Sequence, residues 1–268
     1  MPAATPLAHE RQGDGAIAVL LLHGVGGSRA IWSDAVSGTT AAIAEAGYSA
    51  IAVDLPGYGG SPLPGRLTTE VMARAVAATV RGLGFDRAVL VGHSMGGMVA
   101  QALAAIDAGV VAGLVLACTS PAFGKPDGDW QRNFVRDRLS LLDAGQGMAG
   151  LAAKLVPGMV GPTASAAAIE QSAAVMAQVP EATYRAALQA IVGFDGRAAL
   201  AAIKVPTLCL AAEFDRTAPP EVMQRMAQRI AGAEFKTLAD AGHIANAEQP
   251  QAFNAALLSF LQRHFCVA

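Results

Sequence analysis

Ser94 is the residue whose sequence surroundings most favour covalent chemistry, because it sits in a Gly-x-Ser-x-Gly pattern at 92–96. An apolar run over 87–91 predicts a strand before the pattern, and helical spacing starts at Met95. A serine on so tight a strand-to-helix turn exposes its hydroxyl at the carboxyl end of the strand, where it can act as a nucleophile. A glycine-rich turn without catalytic importance has the same letters, but the flanking strand and helix favour the nucleophile.

A serine hydroxyl is a weak nucleophile, so it needs a base, and the base needs a third group to orient it. His243 and Asp215 each follow a predicted late strand, and serine, aspartate, histidine is a known chain order for such a set. The carboxyl ends of parallel strands meet at one edge of a sheet, so the three side chains should converge. Glu213 is the alternative acid, should the strand end earlier. The other histidines are interpreted as surface groups or as hydrogen-bonding groups of loops: His9, His264, His93 and His23.

Two backbone N–H groups are predicted to stabilise the negative charge that develops on a carbonyl oxygen under attack. Met95 follows the nucleophile and supplies the first. Val25, in the loop after the first apolar strand, supplies the second. The glycines around Val25 also suit a plain turn. No lysine follows them and no G-x-G-x-x-G pattern occurs, so a nucleotide ligand is not expected.

Strands that alternate with helices position these residues. The alternation predicts an α/β fold with a mostly parallel sheet and right-handed crossovers. After Pro121 the alternation stops, and only helical segments with apolar faces follow as far as about Gly196. We therefore expect a core domain of residues 1–120 and 197–268, with an inserted helical cap over residues 121–196. Strands are predicted at 5–11, 16–22, 48–53, 87–91, 113–117, 205–211 and 234–238. Helices are predicted at 30–46, 68–83, from 95, at 130–142, 146–155, 162–179, 181–192, 219–230 and 248–264.

Composition limits the possible partners and location. The 268 residues carry a formal net charge of −2, which argues against nucleic acid or an anionic membrane as partner. No apolar run is long enough for a membrane span, and the first fifteen residues lack a signal-peptide core, so a cytoplasmic protein is expected. The three cysteines are odd in number and widely spaced, which favours neither disulfides nor a metal site. The oligomeric state stays open, with a homodimer among the options.

A cavity between the sheet and the cap should bind the substrate, and such cavities are mostly apolar. Arg132, Arg136 and Arg138 suggest a carboxylate clamp, although arginines on such a helix are more often solvated. Packing between cap and core is an equally good explanation for each apolar candidate. The candidates are Phe123, Trp130, Phe134, Met148 and Met159.

Several motifs together resemble those of the α/β-hydrolase superfamily. Within it, the chain is most similar to the 3-oxoadipate enol-lactonase-like and small esterase group. Two features depart from the common pattern. The short N-terminus implies that an edge strand is missing or reduced, and Ala212 stands where the acid motif commonly has glycine. The motifs are His23-Gly24-Val25-Gly26-Gly27, Asp54 to Ser61, Gly92 to Gly97, Asp215, Gly242-His243, and the tail from Ala245 to Phe253.

The resemblance implies a cofactor-free serine hydrolase that cleaves a small carboxylic ester or lactone through an acyl-enzyme on Ser94. Serine at this position argues against the dehalogenase and epoxide-hydrolase branches, which use aspartate there. Hydrolysis of a carbon–carbon bond in a ring-cleavage diketone uses the same three residues, and perhydrolase or haloperoxidase-like activity is a third option. A ligand receptor on the same scaffold is the alternative outside enzymology, and it is disfavoured because all three positions are filled.

Overall fold

The computed structural model describes residues 6–124 and 128–266, so Thr5, the first residue of the earliest predicted strand, lies outside the described residues. Within those ranges the chain forms seven strands and ten α-helices. The strands are β1 His9–Gln12, β2 Ala18–Leu22, β3 Ser49–Val53, β4 Ala88–His93, β5 Val111–Ala117, β6 Thr207–Ala212 and β7 Glu234–Leu238. The helices are α1 Thr39–Glu45, α2 Thr69–Gly82, α3 Met95–Ile106, α4 Asp129–Asp143, α5 Gly147–Leu155, α6 Ala166–Ala177, α7 Glu181–Val192, α8 Pro220–Ala227, α9 Ala245–Glu248 and α10 Pro250–His264.

The strands form one sheet in the order β1-β3-β2-β4-β5-β6-β7, and every neighbouring pair except β1–β3 is parallel. The single antiparallel strand β1 is exposed and short, in agreement with the expected reduction of the N-terminal edge. Every residue of β2, β3, β4 and β6 is buried. Since successive strand residues point to opposite faces, helices must cover both faces of the sheet.

One predicted helix is broken in the structure. The segment 30–46 forms a short 3₁₀ helix, Arg29–Trp32, and then α1, because the Ser33 carbonyl accepts from the N–H groups of three following residues and Gly38 takes a left-handed conformation (φ 61°). The prediction of a continuous helix over 30–46 is therefore wrong. The predicted helix over 248–264 agrees with α10 to within two residues, and the short helix α9 precedes it. Gln249, between α9 and α10, lies outside the helical region (φ −130°, ψ 59°), and a residue before proline is disfavoured from that region.

Helices α4 to α7 and two 3₁₀ turns occupy the helical segment, defined here as residues 128–203, between β5 and β6. Their bounds follow the four predicted helices closely. An antiparallel bridge pairs Ala122, which precedes this segment, with Asp195, which lies near its C-terminal end. Whether the segment is a separate cap domain with the predicted boundaries stays a prediction. Across residues 6–124 and 128–266, no helix is both long and apolar enough to cross a membrane.

Candidate active site

Ser94 lies at the junction of β4 and α3 in a strained backbone conformation, with φ 52° and ψ −115°. The junction needs glycine on both sides. A Cβ on Gly92 would lie 2.4 Å from the Gly96 carbonyl oxygen, and a Cβ on Gly96 would lie 2.1 Å from that of Leu22. The Thr119 hydroxyl donates to the Ser94 carbonyl oxygen at 2.7 Å and holds the turn from the next strand. Close backbone packing and the Thr119 hydrogen bond therefore fix the backbone that carries the Ser94 hydroxyl.

The structure brings His243 and Asp215 to the Ser94 hydroxyl. His243 Nε2 lies 3.0 Å from Ser94 Oγ, and His243 Nδ1 lies 2.8 Å from Asp215 Oδ2. With its proton on Nδ1, the imidazole donates to Asp215 and accepts from Ser94, as a general base requires. Glu213 is exposed and its carboxylate accepts from the N–H of Asp240 at 3.0 Å. The alternative acid thus points away from the histidine.

The Asp215 carboxylate is buried yet favours its ionised form. Burial alone would raise its pKa, but the His243 imidazole and the N–H groups of Ala218 and Thr217 lower the pKa below its ordinary value. Those two N–H groups donate to Oδ1 at 2.9 and 2.7 Å. Oδ2 remains for the histidine, so the carboxylate stays charged and oriented beside it.

His23 and His93 support the loops around the site. Burial lowers the pKa of each to about 4, so both are neutral near pH 7. His23 Nε2 accepts from the N–H of Leu55 at 3.1 Å, and Nδ1 lies 2.8 Å from the Gly24 carbonyl oxygen. His93 Nε2 lies 2.6 Å from the His243 carbonyl oxygen. These contacts agree with the structural role interpreted from the sequence.

Glu248 is a supporting residue that the sequence analysis did not identify. Its buried carboxylate accepts from the N–H groups of Gly161 and Gly242 at 2.6 and 2.8 Å, and from that of Ile244 at 2.9 Å. The last two flank His243, and Gly161 belongs to the helical segment. One carboxylate therefore fixes the histidine loop and ties it to that segment. An acidic residue a few positions after the histidine is the only sequence signal of this role.

Val25 and Met95, the predicted N–H donors, both line the cavity that contains Ser94. Within the described ranges neither N–H donates to a protein acceptor. The Tyr58 hydroxyl donates to the Val25 carbonyl oxygen at 3.0 Å, and its ring packs edge-on to His23 at 4.5 Å between centroids. Buried aromatic and hydrogen-bonding contacts of Tyr58 thus fix the loop that carries Val25.

Two small cavities of about 60 and 50 Å³ adjoin Ser94 and His243. We call the first the Arg138 cavity, because it extends to that residue and Tyr184, and the second the Ser172 cavity. Both have mostly apolar walls, and Met159 and Met176 line the two in common. The Ser172 hydroxyl is buried and has no hydrogen-bond partner among the described residues.

Three of the five predicted cavity residues line a cavity beside Ser94. Phe123 and Phe134 line the Arg138 cavity, and Met159 lines both. Trp130 is 51% exposed and packs on the outer side of the two phenylalanine rings at 5.2–5.3 Å between centroids. Met148 is buried among core residues and lies outside both cavities. The expectation is therefore corrected for Trp130 and Met148, which pack the helical segment.

In the described parts of the chain, no group of three or more histidine, cysteine or acidic side chains is arranged to hold a metal ion. Cys118 and Cys209 are buried free thiols, and Cys266 is an exposed one. Burial raises the pKa of the first two thiols, so they remain protonated.

Comparisons with known proteins agree with this architecture. A candidate carbamate hydrolase, RutD of Variovorax paradoxus (strain S110), is 37% identical over 268 residues, which cover 96% of this chain and 97% of its own. A thermophilic esterase of Thermogutta terrifontis, solved with malate bound, superposes with a TM-score of 0.86 at 30% identity and covers 97% of this chain and 94% of that one. The enol-lactonase of Burkholderia xenovorans LB400 has a TM-score of 0.83 at 27% identity, with 96% of each chain covered. The family model for the alpha/beta hydrolase family matches residues 19–256, and this chain belongs to that family.

Proposed function

We propose that this hydrolase cleaves a small carboxylic ester or lactone through a covalent acyl-enzyme on Ser94. The observation that carries the proposal is the continuous hydrogen-bonded set from Ser94 Oγ through His243 to Asp215. In the first half-reaction His243 takes the Ser94 proton while Oγ bonds to the substrate carbonyl carbon. The imidazolium then passes that proton to the departing alkoxide, and Asp215 stabilises the imidazolium throughout.

The negative charge on the carbonyl oxygen in this step is assigned to the N–H groups of Val25 and Met95. Both line the cavity and donate to no protein acceptor in the described ranges, so they are available to an oxyanion. In the second half-reaction His243 takes a proton from water, the hydroxide attacks the acyl carbon, and Ser94 leaves with that proton. Water is the only co-reactant, and no cofactor takes part.

The helical segment is proposed to act as a cap that selects the substrate. Its helices supply Phe134, Met176 and Tyr184 to the cavities beside Ser94, and the turn after α5 supplies Met159. The small cavity volumes fit short acyl and leaving groups better than long chains. We propose that Phe123, Phe134 and Met159 contact the substrate directly.

A carbamate is the second candidate substrate class. The RutD relative of Variovorax paradoxus supports it, because it is a candidate carbamate hydrolase by name and matches almost the whole chain. The unpartnered Ser172 hydroxyl in the second cavity could also accept a hydrogen bond from a carbamate N–H. The same Ser94 attack on a carbonyl carbon serves both classes, which differ in whether carbon or nitrogen is bonded to that carbonyl carbon in the acyl group.

A substrate panel tests the proposal. We expect 4-nitrophenyl acetate and δ-valerolactone to be hydrolysed, and Ser94→Ala to lower kcat by at least about 10³-fold. Ser120→Ala is the matched control, because the Ser120 hydroxyl lines the same cavity but donates to the Ala122 carbonyl oxygen at 2.8 Å. It should keep kcat within a few-fold. Adding 4-nitrophenyl N-methylcarbamate to the panel compares the rate of carbamate hydrolysis with the rates of ester and lactone hydrolysis. Equal rates in the Ser94→Ala and wild-type proteins would refute the mechanism.

A further inference from the structure

Arg138 brings a positive charge into an otherwise mostly apolar cavity. It lies on α4 and lines the Arg138 cavity together with Ser94 and His243. Its neighbours on the same helix, Arg132 and Arg136, are exposed instead, and Arg136 pairs with the adjacent Asp137. Of the three arginines that the sequence offered as a clamp, the fold places one beside the candidate nucleophile.

The contacts of Arg138 position its charge without neutralising it. The guanidinium carbon lies 3.3 Å from the centroid of the Phe134 ring, and Nη1 donates to the Phe134 carbonyl oxygen at 3.2 Å. The Tyr184 phenol lies beside the guanidinium and interacts with it electrostatically. No carboxylate within residues 6–124 and 128–266 forms an ion pair with it. A guanidinium has five N–H groups, so donors remain for a ligand.

Tyr184 adds a second donor beside the arginine. Its side chain is buried and lines the same cavity, and burial raises the pKa of the phenol to about 12. The phenol therefore keeps its proton. The protonated O–H can donate to a ligand in the cavity. Burial also lowers the pKa of Arg138, which reflects the cost of holding this cation away from water.

Arg138 is half-buried, and a partly desolvated cation without a counter-ion is stabilised by a ligand that supplies the opposite charge. We propose that Arg138 and Tyr184 form a carboxylate-binding subsite, so that the preferred substrates carry an anionic group on the part that enters the Arg138 cavity. The inference rests on the proposed function and narrows its substrate class to esters, lactones or carbamates of short acidic molecules. A bidentate guanidinium contact with the phenol O–H beside it suits the planar geometry of a carboxylate.

Matched substrates that differ by one charge test the subsite. The pair is 4-nitrophenyl hydrogen succinate and 4-nitrophenyl methyl succinate, with the glutarate pair to vary the reach. We expect the wild-type protein to favour the acidic ester by at least about tenfold in kcat/KM, in line with charge-assisted hydrogen bonds. Arg138→Gln should remove this preference, so that the ratio of kcat/KM for the two esters falls to within about threefold of one. Arg136→Gln, on the same helix, should keep the preference.

Two further variants distinguish a carboxylate-binding role of Arg138 from a purely structural role. Arg138→Lys retains the charge and should keep part of the preference. Tyr184→Phe removes one hydroxyl and should lower the preference several-fold without changing the melting temperature. A wild-type protein without a charge preference for either diacid would overturn the subsite, as would a preference that survives in folded Arg138→Gln protein.

A binding measurement separates failure of the subsite from failure of the proposed function. Calorimetry with the Ser94→Ala protein should show methyl hydrogen succinate binding at least about tenfold more tightly than dimethyl succinate. The Ser94→Ala/Arg138→Gln double variant should bind both equally. These two binding results test the subsite even if no ester in the panel is hydrolysed. Equal binding of the two ligands by Ser94→Ala would refute the subsite while leaving hydrolysis through Ser94 intact.

Discussion

Substituting Glu248 by glutamine changes a single heavy atom in the support of the histidine loop. The Glu248 side chain is 8% exposed, and its two oxygens accept three backbone N–H groups, those of Gly161, Gly242 and Ile244. Glutamine keeps the shape but replaces one oxygen with an N–H₂ group, which cannot accept. The best orientation keeps the oxygen toward Gly161 and Gly242 and turns the new N–H₂ group against the N–H of Ile244.

The expected cost follows from that geometry. One charge-assisted hydrogen bond worth about 1.5–3 kcal/mol is lost, and the buried N–H left without an acceptor costs on the order of 1–3 kcal/mol. These terms overlap, so we expect a loss of about 2–4 kcal/mol in the free energy of unfolding. For a chain of this size that corresponds to a fall of roughly 4–8 °C in Tm. Because His243 lies between two of the three donors, kcat should fall by about tenfold or more.

Urea unfolding and ester hydrolysis measure the two effects separately, with kcat determined well below both transitions. Glu221→Gln is the matched control, since Glu221 is exposed in the first turn of α8. It should change the free energy of unfolding by less than about 0.5 kcal/mol. If Glu248→Gln unfolded at the wild-type urea concentration and kept the wild-type kcat, the carboxylate would not be what holds His243.

Three further results are expected. Asp215→Asn should lower kcat by about 10³–10⁴-fold through the wrong histidine tautomer, whereas the exposed Glu213→Gln should change kcat less than threefold; the reverse ranking would exchange their roles. Because burial depresses the pKa of His23 to about 4, the unfolded state binds more protons below about pH 6.5, and His23 should cost up to roughly 3 kcal/mol of stability as the pH falls from 6.5 to 4. His23→Gln should flatten this dependence in urea titrations, and an unchanged slope would contradict the assignment. Phe134→Ala should alter the ranking of kcat/KM across acyl groups, while Trp130→Ala, outside the cavities, should leave the ranking unchanged.

Local pattern predicted most of the fold because the elements that carry the site have strong local signals. The bounds of β7 and α7 agree with the sequence prediction to the residue. The segment before α1 was mispredicted because a left-handed Gly38 and the multiply bonded Ser33 carbonyl override good helical spacing. Such breaks depend on backbone hydrogen bonds that the periodicity of an alanine-rich segment does not indicate.

The convergence of Ser94, His243 and Asp215 was predictable because parallel strands end at one edge of the sheet. Glu248 was not, since its partner Gly161 lies 87 residues away in the chain. The sequence could not indicate which charged group faces the cavity, for a similar reason. Three arginines on α4 look alike in sequence, and only the docking of that helix places Arg138 inward and the other two outward.

Reaction with a fluorophosphonate tests the central claim, a Ser94 hydroxyl activated by His243, most directly. Intact-protein mass and peptide mapping of the treated protein should show one adduct, on the peptide that contains Ser94. His243→Ala should slow its formation by several orders of magnitude, because the hydroxyl then lacks its base. No adduct on the folded wild-type protein, or an adduct on another residue such as Ser120 in the same cavity, would contradict the account.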